Sequence, residues 1–158
     1  MRPSTDGADA GLFASLTAAL TKEGASFDVV APKIAGVTLS DGKVVAAKQK
    51  IDGGPSVLYD AVAVLVSDAG AETLKTHKPT MDFLSDAFAH CKFIAHNANA
   101  DPLLKAAGLL DKLDAGFVAL GGKRDAEGFV AACRALRYWD RELGTKMKGE
   151  DKPVKGKR

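Results

Sequence analysis

Residues 92–109, KFIAHNANADPLLKAAGL, decide how this chain folds. Phe93-Ile94-Ala95 reads as a buried strand, the next five residues as a sharp turn, and the residues from Asp101 onward as a helix. Asp is a good N-cap, and Pro102 at the first helical position gives up only an N–H that has no intrahelical partner. Strand, tight turn and helix in this order form the joint on which α/β enzymes lift a nucleophile above the sheet. Here the turn is His96-Asn97-Ala98-Asn99-Ala100, with neither Cys nor Ser. The joint is built without an attacking group.

Outward from the joint, helical and strand patterns alternate. Leu12, Leu16 and Leu20, with Phe13, predict a helix over residues 8–23, stopped by Gly24. SFDVVA at 26–31 reads as a strand, and Asp41-Gly42 as the turn of a hairpin within 38–49. Tyr59 to Val66 is nearly continuously apolar, as expected of a parallel strand covered on both faces. A helix is expected over 80–90, a strand over 116–120, and a last helix from Asp125 through Phe129, Cys133 and Leu136 to Trp139. Such alternation implies a flavodoxin-like, doubly wound α/β sheet between helical layers, mainly parallel, with right-handed crossovers. One domain over 1–144 and a basic, disordered tail over 145–158 are expected.

One element of that plan is missing. In the strand order 2-1-3-4-5 an apolar strand precedes the first helix and lies inside the sheet. MRPSTDG is polar and too short to be that strand, so the expectation is a truncated or mis-started reading of a longer chain. Exposed edges left by the gap would invite pairing with another chain.

Composition narrows the class. The 158 residues are 46% hydrophobic and 27% charged, which suits one soluble globular domain. The longest wholly apolar run, 61–66, is far short of the roughly 20 residues that span a bilayer. No basic-then-apolar leader opens the sequence, so a cytoplasmic protein with reduced thiols is expected. The net charge of +2 is uneven: residues 145–158 carry +4, which leaves −2 for the rest. Without interleaved aromatics, that tail reads as a solubilising end and not as a specific nucleic-acid site.

The arrangement of these residues carries a family resemblance. Asp6-Gly7-Ala8-Asp9, the helix ending at Gly24, FDVVAPK at 27–33 and DGGPSVLYDAV at 52–62 stand in the same order and spacing as one known pattern. HCKFIAHNANADPLLKAAGL at 90–109 and FVAACRALRYWDRE at 129–142 continue it. Together they resemble the C-terminal domain of large-subunit haem catalases of the hydroperoxidase II type, within the DJ-1/PfpI, class I glutamine amidotransferase-like superfamily. Enzymatic relatives place a cysteine at the joint and a glutamate near the start of the first helix. The resemblance puts Ala98 (Asn97 if the turn shifts by one) at the cysteine position and Leu12 at the glutamate position. It therefore implies a non-catalytic accessory domain serving assembly or chaperone-like association in a peroxide-decomposing catalase. Haem would belong to the full-length relative, and the partners would be the catalase core or further copies of the chain.

No other chemistry is evident in the sequence. His77, His90, His96, Cys91 and Cys133 lack metal-ligand spacing, and neither Gly53-Gly54 nor Gly121-Gly122 has a phosphate-loop pattern. Cys91 falls at a helix C-terminus, where the dipole disfavours a thiolate, and Cys133 on an apolar helical face. Arg134-x-x-x-Tyr138 matches the spacing by which catalases hold the haem-ligating tyrosine, but without the haem-binding barrel it is read as coincidence. Asp68 follows an apolar strand at the end where α/β sheets place ligands. With His96, Asn97 and Asn99 it would line a vestigial pocket, against the plainer reading of a capping loop. An alternative function, a diverged hydrolase or glyoxalase, would use that relocated site. Trp139 with Arg137 and Arg141 reads as an interface anchor, core packing of Trp139 being the competing reading.

Overall fold

The computed structural model describes residues 6–143. Helix α1 spans Ala10–Glu23, two residues shorter at its start than the periodicity predicts, because Asp9 is the cap. The Asp9 carboxylate accepts from the Leu12 N–H at 2.7 Å, and Gly24 closes the helix with φ 74°. The strand expected over 26–31 is reduced to β1 (Val30–Ala31). The hairpin forms as β2 (Val37–Thr38) antiparallel to β3 (Val44–Val45), followed by β4 (Gln49–Lys50), which pairs parallel with β1. Gly36 permits the hairpin: at φ 88°, a Cβ there would lie 1.7 Å from the Val45 carbonyl oxygen.

The next strand, β5 (Ala61–Val64), is followed by a helix that sequence periodicity did not predict, α2 (Asp68–Leu74). Ser67 caps it, its Oγ accepting from the Gly70 N–H at 3.0 Å, so Asp68 lies in a first helical turn and not in a loop. Helix α3 (Lys78–Ala89) begins two residues ahead of expectation, with proline in its first turn. Strand β6 (Phe93–His96) is buried along its whole length. Helix α4 (Asp101–Ala106) is entered through a 3-10 turn, Ala98–Ala100. Asp101 is therefore already helical at φ −52°, ψ −43°, and it is not the N-cap the sequence suggested.

Strand β7 (Phe117–Ala119) precedes α5 (Lys123–Ala132), which stops seven residues short of Trp139. A 3-10 turn, Cys133–Ala135, and a left-handed Leu136 (φ 64°) end it. The chain then turns back so that the Tyr138 N–H donates to the Cys91 carbonyl at 2.7 Å, and this tertiary bond replaces a further helical turn.

Strands β5, β6 and β7 form one parallel sheet in that order, in register Ala63↔Ala95 and Ala95↔Val118. One face packs against α1 and α5 through Leu16, Ala19, Phe93, Ala95, Phe129 and Val130. The other packs against α2, α3 and α4 through Leu74, Leu84, Leu103 and Ile94. This is a three-layer, doubly wound α/β arrangement. No helix among the described residues is long and apolar enough to cross a membrane. The basic tail lies outside the described residues.

The 59–66 segment departs from its expected setting. Ala63, in the middle of β5, is exposed, because β5 is bonded on one side by β6 and its other edge is open. Among the described residues the β1–β4 pair and the hairpin are separate ladders, joined to the β5–β7 sheet by no strand pairing.

Candidate functional site

The strand–helix joint lies at the carboxyl end of β6, where parallel sheets place ligands. Asn97 is buried, and its amide is spent on the neighbouring strand end. Its Nδ2 donates to the Val66 carbonyl at 2.7 Å and its Oδ1 accepts from the Val66 N–H at 3.3 Å. Nδ2 also reaches Asn99 Oδ1 at 3.2 Å, and Asn99 Nδ2 donates to Asp68 Oδ1 at 2.5 Å. Asp68, Asn97 and Asn99 are thus brought together as a closed chain of hydrogen bonds. The Asp68 carboxylate accepts from the Asn99 amide.

His96 does not join that chain. Its ring stands edge-on to Phe117, centroids 6.3 Å apart, and its buried Nδ1 meets no hydrogen-bond partner among the described protein atoms. Ala98 presents an exposed methyl group at the turn, and Leu12 is half-buried on α1. A general base acts only within hydrogen-bond reach of the proton it takes, and a nucleophile needs a thiol, hydroxyl or amine. Residues 96–100 carry no thiol, hydroxyl or amine side chain. Among the described residues no group of three or more His, Cys, Asp or Glu side chains is placed to hold a metal ion.

The cysteines are set apart from the joint. Cys91 is buried at φ 56°, just past α3. Burial pushes the Cys133 thiol up to about 11, with a smaller push from the Asp60 charge, so it is unionised at neutral pH. Arg134 and Tyr138 do not lie side by side on a helix, since α5 has already ended. Arg134 forks onto Glu23 at 2.6 and 2.8 Å, and Tyr138 packs against Phe93.

The grouping of Arg137, Trp139 and Arg141 separates in three dimensions. Trp139 is 61% exposed and is not packed into the core of the described residues. Arg137 lies over the Asp60 carbonyl at 3.1 Å. Arg141 is turned inward and leaves the surface group. It forks onto Asp114 at 2.7 and 3.0 Å, donates to the Lys92 carbonyl at 2.8 Å, and lies over the Phe88 ring at 4.6 Å. A side chain with five fixed donors is used here to join the end of the chain to β6 and β7.

Sequence reasoning passed over Lys92, the first residue of the decisive stretch. It is fully buried, and its ammonium donates to the carbonyls of Ser56 and Tyr59. Desolvation, helped by the positive charge of Arg137, lowers its pKa. The available signal was a lysine abutting an apolar run in a strand covered on both faces, where no solvated position exists.

The architecture defines the class. A Schizosaccharomyces pombe DJ-1 matches with a TM-score of 0.66 over 94% of this chain and 96% of that one, at 16% identity. A two-domain protein of Anabaena variabilis, containing DJ-1/ThiJ/PfpI-like and ferritin-like domains, matches with a TM-score of 0.70 over 89% of this chain and 48% of its own, at 14% identity. The fold is that of the DJ-1/ThiJ/PfpI group. Residues 4–142 match the family model of the C-terminal domain found in long catalases, and the chain belongs to that family. Catalase C of Rhizobium meliloti is 47% identical over 145 residues, covering 92% of this chain and 21% of the relative. Catalase-2 of Bacillus subtilis is 32% identical over 130 residues, 79% of this chain and 18% of the relative. The chain spans about a fifth of the length of these curated relatives.

Proposed function

We propose that this chain is the accessory domain of a haem catalase that decomposes hydrogen peroxide, acting by assembly or chaperone-like association. The observation that carries this reading is the joint itself. Neither Ala98 nor Asn97, the two candidates for the nucleophile position, carries a thiol or hydroxyl, and the amide of Asn97 is consumed in clamping Val66. On this reading the joint serves to position strand ends. Similarity to proteins named as catalases supports the choice of enzyme. Haem would reside in a separate catalase core. The same proposal includes a cytoplasmic setting, a role in oxidative stress, and contact with the core or with other copies of the chain. Exposed Trp139 and Leu143, with Arg137 beside them in sequence, are the surface offered for that contact.

The test uses the purified chain, first with haem and peroxide, then with a long catalase core lacking its own C-terminal domain. The expected outcome is no Soret band and no oxygen release from the chain alone, and a longer thermal half-life of the core when the chain is added. Oxygen release by the chain alone, or a core indifferent to its presence, would overturn the reading.

A further inference from the structure

Asp-Gly occurs twice, at 41–42 and at 52–53, and the fold holds the two pairs differently. Each closes a tight turn: the Gly42 N–H donates to the Leu39 carbonyl and the Gly53 N–H to the Lys50 carbonyl, both at 3.0 Å. The first turn is locked from both sides. The Leu39 N–H donates to the Lys43 carbonyl at 2.8 Å, and β2 pairs with β3 beyond it. Asp41 Oδ1 accepts from the Lys43 N–H at 2.9 Å, which commits the carboxylate, as an anion, to the amide beyond its own glycine. The second turn has no such lock. Among the described residues the Asp52 carboxylate meets Lys50 Nζ alone, at 3.2 Å, with both side chains half exposed. A pair so exposed holds a carboxylate weakly. Further along the loop, Pro55 has no N–H with which to close the turn from the far side.

We propose that Asp52-Gly53 is a site of spontaneous main-chain modification, isoaspartate formation, and that the fold protects Asp41-Gly42 from the same reaction. The Gly53 nitrogen bonds to Asp52 Cγ and releases its proton. The protonated carboxyl gives up its hydroxyl, which leaves with that proton as water, and a succinimide ring closes. Water then opens the ring at either carbonyl. Opening at the Asp52 main-chain carbonyl leaves the chain running through Cβ and Cγ, with the former main-chain carboxyl free as a side group. A water leaves and a water returns, so the composition is unchanged. Glycine allows the attack because no Cβ crowds its nitrogen. The product has an extra methylene between Ile51, whose N–H donates to the Ala31 carbonyl at 3.0 Å, and Gly54. Gly54 is buried where a Cβ would lie 3.0 Å from Gln49 Cβ, so there is no slack on that side and the short β1–β4 ladder loosens. The freed carboxylate is an acceptor for a carboxyl methyltransferase, which moves a methyl group to it from the sulfonium of S-adenosylmethionine. This inference stands independently of the catalase reading.

The experiment ages the full chain for several weeks at neutral pH, folded and in urea. Isoaspartate is mapped by digestion and electron-transfer fragmentation, with enzymatic methyl transfer to the same samples as a second readout. In the folded chain isoaspartate should accumulate at Asp52 and stay near background at Asp41. In urea both should convert at similar rates, since only the fold distinguishes them. Gly53→Ala, whose Cβ would meet only the Lys50 carbonyl at 3.9 Å, should fold normally and convert far more slowly at residue 52. Amide exchange at Ile51 should be faster in the converted protein than in the fresh one. No conversion at Asp52, conversion at Asp41 equal to it in the folded chain, or a rate gap that persists in urea would each overturn the proposal. Unchanged exchange at Ile51 would overturn the loosening assigned to the ladder.

Discussion

Arg141 shows how a single side chain can differ from its sequence context. Flanked by exposed Trp139 and close to the chain end, it reads as a surface arginine, yet its guanidinium closes a buried network of Asp114, Lys92 and three aromatic rings. Removing one partner of a buried ion pair leaves the other charge uncompensated, so Arg141→Ala should lower stability by about 3–5 kcal/mol in urea unfolding. Arg141→Lys should recover little of it, since a single ammonium cannot fork both Asp114 oxygens and also reach the Lys92 carbonyl. Cys133 makes a pH-dependent contribution. Burial raises its thiol pKa from the ordinary value of 9.0 to about 11. A group whose folded pKa exceeds its unfolded value stabilises the fold below the unfolded value and loses that contribution as pH rises through the folded one. The stability difference between the wild type and Cys133→Ala should therefore shrink between pH 9 and pH 11. The change should be about 1–2 kcal/mol once partial exposure is discounted. A difference that stays flat over that range would contradict the burial assigned to this thiol.

Among the elements, the joint of β6 and α4 was the most legible, because an apolar strand, Gly-free turn and Asp-Pro helix start leave few alternatives. The chemistry of its turn was less so. Sequence identified Asp68, Asn97 and Asn99 as neighbours of a crevice, and they do meet, but as a clamp across strand ends. Asn97→Ala should strand the Val66 N–H and carbonyl in a buried setting and cost about 2–3 kcal/mol. Asn97→Asp, which sets a carboxylate oxygen against the Val66 carbonyl and Asn99 Oδ1 in a buried site, should cost at least as much in the same denaturant titration. Helix α2 was missed because its seven residues include Gly70 and Thr73 and are too few to show a period. The early end of α5 was missed for a different reason. Phe129, Cys133 and Leu136 keep helical spacing, but a bond from Tyr138 to Cys91 outweighs local propensity.

At the scale of the molecule, the parallel sheet and its two helical layers are what the alternation of patterns predicts. Among the described residues no strand pairs with the outer edge of β5, and a cleft of about 730 Å³ lies between it and β1. The open edge explains why residues 59–66 are half exposed despite their apolar run. Since no strand pairing joins the β1–β4 ladders to the β5–β7 sheet among the described residues, the two should open separately. In the free chain, amides at residues 29–51 should exchange at least ~100-fold faster than those of Ile94 and Ala95, which are fully buried between two strands. Uniform protection across both parts would show a single cooperative unit.

The sequence by itself determined the class of fold, the absence of a nucleophile at the joint and the family, because these depend on residue identity and on spacing along the chain. The tertiary structure decided which charges are inside, where helices stop and which strand edges are left open. Lys92 and Arg141 are buried by elements distant in sequence, and the cleft exists between segments some 30 residues apart. Burial and edge pairing are set by neighbours in space, which a linear pattern does not record.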